Sequence, residues 1–256
     1  MKTRSLLSLL LSTALTLLFA SCSTTPPPAP EPEPTAFEKF ILNTTAYPTT
    51  MAYYVDEELV KQVTPKSPIY ICLEQQRGRL YVNGDVAMDW PVSTGTYGHE
   101  TPKGKFRIVE KEKDHASNRY GHLYNAEGKC INSNADVFVE EIPEGGKFVG
   151  SPMPNWMRLT GDGVGMHTGK VKAGKRLSHG CIRTPNVIAV RLFELTKVGQ
   201  PVTIADAPEA SYPGADEIAK RAQKDVEEEQ ARKLAEQKAA EEKAREEARK
   251  NRKWLW

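Results

Sequence analysis

The chain lacks any marked excess of one charge: 35 Lys and Arg stand against 33 Asp and Glu, a formal net charge of +2. Nucleic-acid binders normally carry a clear basic surplus, so no nucleic-acid partner is expected. It also lacks an apolar run of comfortable bilayer-spanning length. The best candidate, Leu6 to Ala20, follows Lys2 and Arg4 and has the form of a secretory signal. Cysteine is scarce, with Cys22, Cys72, Cys130 and Cys181 as the whole complement. What is present suffices for one medium domain with appendages: 256 residues, 39% hydrophobic and 27% charged.

The signal-like stretch ends Leu18-Phe19-Ala20-Ser21-Cys22. Small residues running straight into cysteine resemble a bacterial lipobox, although Phe19 stands where leucine is usual. The resemblance implies cleavage after residue 21 and a lipid on Cys22, holding an exported protein to a membrane. Ordinary cleavage nearby and a retained anchor are the competing readings. Ser23, rather than Asp, after Cys22 resembles lipoproteins sent to the outer membrane rather than kept at the inner one. Residues 22–35 then form a tether. Pro26, Pro27, Pro28, Pro30, Pro32 and Pro34 favour an extended polyproline conformation. Roughly a dozen residues at about 3.1 Å each reach about 40 Å.

Residues 36–67 read as a lead-in, in which Phe37, Phe40, Ile41 and Leu42 suggest a short helix. Residues 68–206 read as the folded domain, with the signals of a mainly β, mostly antiparallel protein and one or two short helices. Ile69 to Leu73 is strand-like, Arg77-Gly78 reads as a turn, and Leu80-Tyr81-Val82 and Val86 to Val92 flank the hairpin signal Asn83-Gly84. Phe106 to Glu110 alternates as a strand, and Val202 to Ile204 closes the set. Asn186 to Leu195 has the apolar side of a helix. Asp114 to Pro154 shows little pattern and reads as a long loop beside a site. Beyond Tyr212-Pro213-Gly214, residues 215–256 turn to Ala, Glu, Lys, Arg and Gln. Pairs such as Glu228–Arg232 and Glu241–Arg245 predict a long charged α-helix, either solvated alone or coiled with a protein partner.

The chemistry concentrates in Gly165-Met166-His167-Thr168-Gly169 and Ser178-His179-Gly180-Cys181-Ile182-Arg183. A thiol becomes a strong nucleophile when a base or cation promotes its thiolate. His179, two residues before Cys181, cannot easily turn its ring to the sulfur. His167, a hairpin's worth of chain upstream, can return on a neighbouring strand and face it. Gly180 lets a ligand approach the backbone and leaves amides for an oxyanion hole. Cysteine, base and exposed amides are the parts of acyl transfer. A buried core cysteine is the bland reading. A zinc site from His167, His179 and Cys181 lacks a full ligand set at familiar spacing, so no metal is expected. His99, His115 and His122 read as ordinary polar loop residues.

These residues resemble the signature of the L,D-transpeptidases, the YkuD-like catalytic domain. Pro91-Val92-Ser93-Thr94-Gly95, Thr101-Pro102-Lys103-Gly104-Lys105-Phe106 and Pro154-Asn155-Trp156-Met157-Arg158 also resemble the family, so the likeness covers roughly Ile69 to Ile204. It implies an L,D-transpeptidase-type β-sandwich and a cysteine enzyme needing no cofactor. Its donor would be the tetrapeptide stem of peptidoglycan, and its acceptor a stem amine, a lipoprotein lysine or water. Cys181 matches the nucleophile and His167 the proton carrier. The Thr168 carbonyl matches the group that orients the ring, and the amides of Gly180 and Cys181 match the oxyanion hole. Ser178 and His179 match residues shaping the pocket, while Arg183 binds a substrate carboxylate or braces the loop. The family usually has His-Gly-Thr where this chain has His167-Thr168-Gly169. A non-catalytic wall-binding lipoprotein is the reading from another class. If Cys22 is lipidated and Cys181 catalytic, Cys72 and Cys130 remain, either bonded in an oxidising periplasm or free.

Overall fold

The computed structural model describes residues 33–209 together with 231–232, 234–240 and 243. The proposed signal, Cys22 and most of the tether lie outside the described residues. So does most of the expected C-terminal helix, of which the described positions are helical. Along the chain run α1 (Ala36–Asn43), β1 (Tyr54–Val55), α2 (Glu57–Val60), β2 (Ile69–Cys72), β3 (Arg77–Val82) and β4 (Asp85–Pro91). Next come β5 (Gly104–Arg107), β6 (Glu110–Glu112), β7 (Ala116–Tyr124), β8 (Cys130–Asp136) and β9 (Lys147–Pro152). The last are β10 (Trp156–Arg158), β11 (Gly165–Thr168), β12 (Ile182–Thr184), α3 (Asn186–Leu195) and β13 (Pro201–Ala205).

Three sheets result, in the orders β1-β4-β3-β2-β13-β5, β12-β11-β10-β6 and β8-β7-β9. The first two share one core. Ile69, Ile71, Leu80, Met88 and Trp90 from the larger sheet meet Met157, Met166 and Ile182 from the second, with Ile188 and Leu192 of α3 filling between. Alternation explains the apolar run of β2: Ile69 and Ile71 face that core, while Tyr70 and Cys72 face a second cluster built on Phe37, Ile41 and Tyr47. Both faces are covered, so all four residues are apolar and buried. Cys72 is a buried free thiol and Cys130 an exposed one, so no bond joins them.

The mainly β character and the Asn186–Leu195 helix agree with the sequence reading. At Asn83-Gly84 both residues take positive φ, 53° and 95°, as a two-residue hairpin turn requires. Three details differ. Arg77-Gly78 is not a turn but the start of β3, where Arg77 pairs across the ladder with Cys72 and its side chain meets buried Asp89; the turn is 73–76. The single strand expected over Phe106 to Glu110 is two. Ile108, fully buried, sits where the chain leaves the first sheet as β5 and enters the second as β6. The supposed loop of Asp114 to Pro154 is the three-stranded sheet. Its strands are bulged and half-exposed, so they carry no clean alternation.

Candidate active site

The second sheet sets the site. β11 and β12 run parallel, with Met166 opposite Ile182 and His167 opposite Arg183. Met166 and Ile182 point into the core and are fully buried. Period-two alternation then turns His167 and Arg183 to the other face, and Cys181 stands immediately before β12, two residues from Arg183. Gly165 makes the approach possible: a Cβ there would lie 2.6 Å from the Met157 carbonyl and from the Trp156 ring.

His167 is buried, and its Nδ1 lies 2.8 Å from the Thr168 carbonyl oxygen. A carbonyl only accepts, so Nδ1 carries the proton and Nε2 holds the free lone pair in the neutral ring. The swapped Thr168-Gly169 order therefore still supplies the carbonyl. Thr168 is itself pinned from Pro154 and Asn155: its amide donates to the Pro154 carbonyl at 2.9 Å, and Asn155 Nδ2 donates to its hydroxyl at 3.0 Å. Burial pushes His167 down to about 4; the Thr168 carbonyl opposes this, and Arg183 and His115 add to it. Trp156 tilts against the ring with centroids 6.1 Å apart, and His115 stacks on Trp156 at 4.8 Å.

Cys181 is partly exposed. Its thiol donates to the Gly163 carbonyl at 3.7 Å, and the Gly165 amide donates toward the sulfur. Burial pushes the thiol up, against the pull of that amide, Arg183 and Arg158. Burial therefore disfavours the charged form of both groups. Ser178 ties the turn together: its Oγ donates to the Cys181 carbonyl and accepts the Gly180 amide at 3.1 Å. The Gly180 amide, expected free for an oxyanion, is thus engaged within the turn. Gly180 takes φ 115°, a conformation few other residues adopt, and its carbonyl accepts from Thr101 Oγ1 at 2.7 Å.

His179 leaves this face and stacks on Tyr120 of β7 with centroids 4.5 Å apart, while His99 meets it edge-on at 4.7 Å. Burial pushes the Tyr120 phenol up, Arg119 opposes this, and Asp136 and then the nearby Cys181 sulfur add to the rise. His99 and His115 do lie in loops, as read, and their rings touch His179 and Trp156. Asn155, Trp156 and Tyr120 escaped the sequence reading as site residues; the Pro154-Asn155-Trp156 resemblance was the signal available for two of them.

The sequence model described as YkuD, L,D-transpeptidase catalytic domain, matches residues 67–204. The chain belongs to the L,D-transpeptidase family. No curated protein matches it significantly. Among solved structures it is similar to an L,D-transpeptidase from Mycobacterium smegmatis, at 20% identity over 55% of this chain and 58% of that one, with TM-score 0.42. A mutant L,D-transpeptidase from Enterococcus faecium is similar at 26% identity over 55% and 50%, with TM-score 0.40. L,D-transpeptidase 3 from Mycobacterium tuberculosis, in complex with a faropenem-derived adduct, is similar at 16% identity over 54% and 60%, with TM-score 0.40. This chain spans about half to three-fifths of those structures' lengths. The transpeptidase domain sets His167 opposite Arg183 on β11 and β12, with Cys181 immediately before β12, and sends His179 to Tyr120 of β7.

Proposed function

We propose that this protein transfers acyl groups of peptidoglycan stem peptides through a thioester on Cys181. The observation that supports the reading is the parallel β11–β12 register, which holds His167, with its lone pair on Nε2, on the strand beside β12, immediately ahead of which stands Cys181. In the reaction the thiol proton passes to Nε2 as the sulfur attacks the carbonyl of the third stem residue. The oxyanion gathers at the Cys181 amide, since the Gly180 amide serves Ser178. The imidazolium then returns its proton to the departing D-alanine amine, leaving a thioester. An amine from another stem, or a lipoprotein lysine, attacks that thioester through neutral His167, giving a 3→3 cross-link or a wall-attached lipoprotein. Water in the same place yields an L,D-carboxypeptidase. Ser178 holds the turn, His179 docks Tyr120 over the site, and Arg183 is set to meet a substrate carboxylate.

Neutral resting partners suit this route. A thiolate held by an imidazolium is strongly solvated by its partner, whereas a neutral pair makes charge only as the acyl carbon is engaged. A lipid on Cys22 and the proline-rich tether would hold the domain off an outer membrane, within reach of the wall. Loss of lipid labelling in Cys22→Ser tests the anchor. For the enzyme, incubation with muropeptides followed by mass analysis separates dimer, shortened monomer and exchanged stem. A carbapenem should add its mass to Cys181, and Cys181→Ala should lose both the adduct and turnover. Continued release of D-alanine by Cys181→Ala would sink the proposal.

A further inference from the structure

Between Asp162 and Glu194 the chain holds six cations, Lys170, Lys172, Lys175, Arg176, Arg183 and Arg191, and no carboxylate side chain. This is the segment that carries His167 and Cys181, in a protein whose overall charge is nearly balanced. Two of the six have company: Arg191 pairs with Glu57 on α2, and Arg176 is near enough to Glu100 to lower that carboxyl, though less than the Gly98 and Glu100 amides do. Lys170, Lys172 and Lys175 are exposed and make no ion pair with any described residue.

The connection that bears them is not loose. The Ser93 hydroxyl accepts the Lys172 amide at 3.2 Å and contacts the Lys172 carbonyl at 3.3 Å, while the Ser93 backbone exchanges two hydrogen bonds with Arg183, at 2.9 and 3.0 Å. Lys175 closes a turn onto the Lys172 carbonyl at 3.0 Å, and Gly174, at φ 65°, lies against Thr49. Gly169 abuts the Arg183 side chain so closely that a Cβ there would lie 2.8 Å from Arg183 Cγ. Main-chain bonds thus fix the strip beside Arg183 and the active face, and the ammonium groups are left to solvent. Fixed, unopposed cations flanking a reaction centre raise the local concentration of anions.

We propose that Lys170, Lys172 and Lys175 receive the free carboxylates of the stem peptide presented to Cys181, making the enzyme selective for stems whose carboxylates are not amidated. This rests on the reading of Cys181 as the acylated nucleophile of a stem-peptide transferase. An uncapped tetrapeptide stem is a polyanion, and amidation removes charge while leaving its shape nearly intact. The anionic class is shared with phospholipid headgroups, so the test must separate the two.

The test compares the full chain with its Lys170→Gln/Lys172→Gln/Lys175→Gln variant on disaccharide-tetrapeptide with free carboxylates and on the same compound amidated. Glutamine keeps the Lys172 main-chain bonds. Exposed pairs are individually weak, so the three together should raise KM for the free stem about tenfold at low salt, with kcat within about twofold. The native enzyme should prefer the free stem over the amidated one by a similar factor. Both differences should shrink at 0.5 M salt, where screening is severe. Iodoacetamide labelling of Cys181, mapped by mass, should be equal in both proteins, showing an intact site. Equal KM values for free and amidated stems in the native enzyme overturn the strip while leaving the transferase reading intact. Absence of any stem turnover by the native enzyme overturns that reading first. Co-sedimentation with anionic phospholipid vesicles that the variant loses, with stem kinetics unchanged, overturns the proposal in favour of a membrane-facing strip.

Discussion

A buried imidazole that prefers to be neutral ties stability to pH at one residue. Burial holds His167 down to about 4, against an ordinary value of 6.5. As pH falls, the unfolded chain takes up this proton first. The stabilising contribution is therefore complete above about 6.5 and is lost as pH falls toward 4. Between pH 7 and pH 5 the loss from this group should be about 2 kcal/mol. Urea unfolding of the native protein and of His167→Asn at the two pH values measures it. The variant should lose less stability on acidification by about that amount, while its turnover falls about 100-fold or more. Equal acid lability in the two proteins would remove the physical basis assigned to the resting neutral pair. The nucleophile and its partner were legible in the sequence because a rare residue, a glycine and two histidines stood in a spaced motif. The commitment of the Gly180 amide to Ser178 was not, because hydroxyl partners two residues apart depend on backbone torsions that composition does not report.

At the scale of elements, the critical joint is β10 against β11. Met157 pairs with Met166, and Gly165 pairs with Arg158, where the Trp156 ring and the Met157 carbonyl leave no room for a methyl group. Gly165→Ala must push β11 away from β10, a backbone shift costing about 1–3 kcal/mol. The same shift carries His167 away from its Thr168 and Trp156 setting, so kcat should fall beyond what the loss of folded protein accounts for. Thermal unfolding and kcat measured well below the transition separate the two effects; unchanged kcat in a destabilised variant would mean the strand moves without carrying the site. Elements with strong local signals, such as the Asn83-Gly84 hairpin and α3, were readable in advance. The sheet of β7 to β9 was not. Its register shifts around Gly121 and Leu123 break the alternation on which strand recognition depends, and most of its side chains are only partly covered. Tyr120, which stacks on His179, escaped attention for that reason: it sits in a sheet that looked like a loop.

For the molecule as a whole, the decisive question is whether the domain begins where its family likeness begins. The match starts at residue 67, yet Val60 lies in the main core, and Phe37, Ile41 and Tyr47 build the second cluster against β2 and β3. Electrostatics bind the lead-in more firmly. Arg77 and Arg79 are buried and both meet the buried carboxylate of Asp89. Arg79 donates to the Tyr47 hydroxyl at 2.8 Å, which donates in turn to Asp89 at 3.1 Å, and Arg77 donates to the carbonyls of Thr50 and Ala52 at 3.0 Å. Removing the lead-in takes those acceptors from two buried cations and exposes the outer face of the larger sheet. Loss of one partner from a buried charge network costs about 3–5 kcal/mol, a large share of a domain's stability. Asp89→Asn should therefore destabilise by about that amount, and Tyr47→Phe by about 1–3 kcal/mol. A chain trimmed to residues 68–256 should lose its fixed near-ultraviolet aromatic signal, even though it keeps every residue of the Cys181 site. If the trimmed chain unfolds at the same urea concentration as the full one, the lead-in is an accessory and the buried arginines find their partners elsewhere.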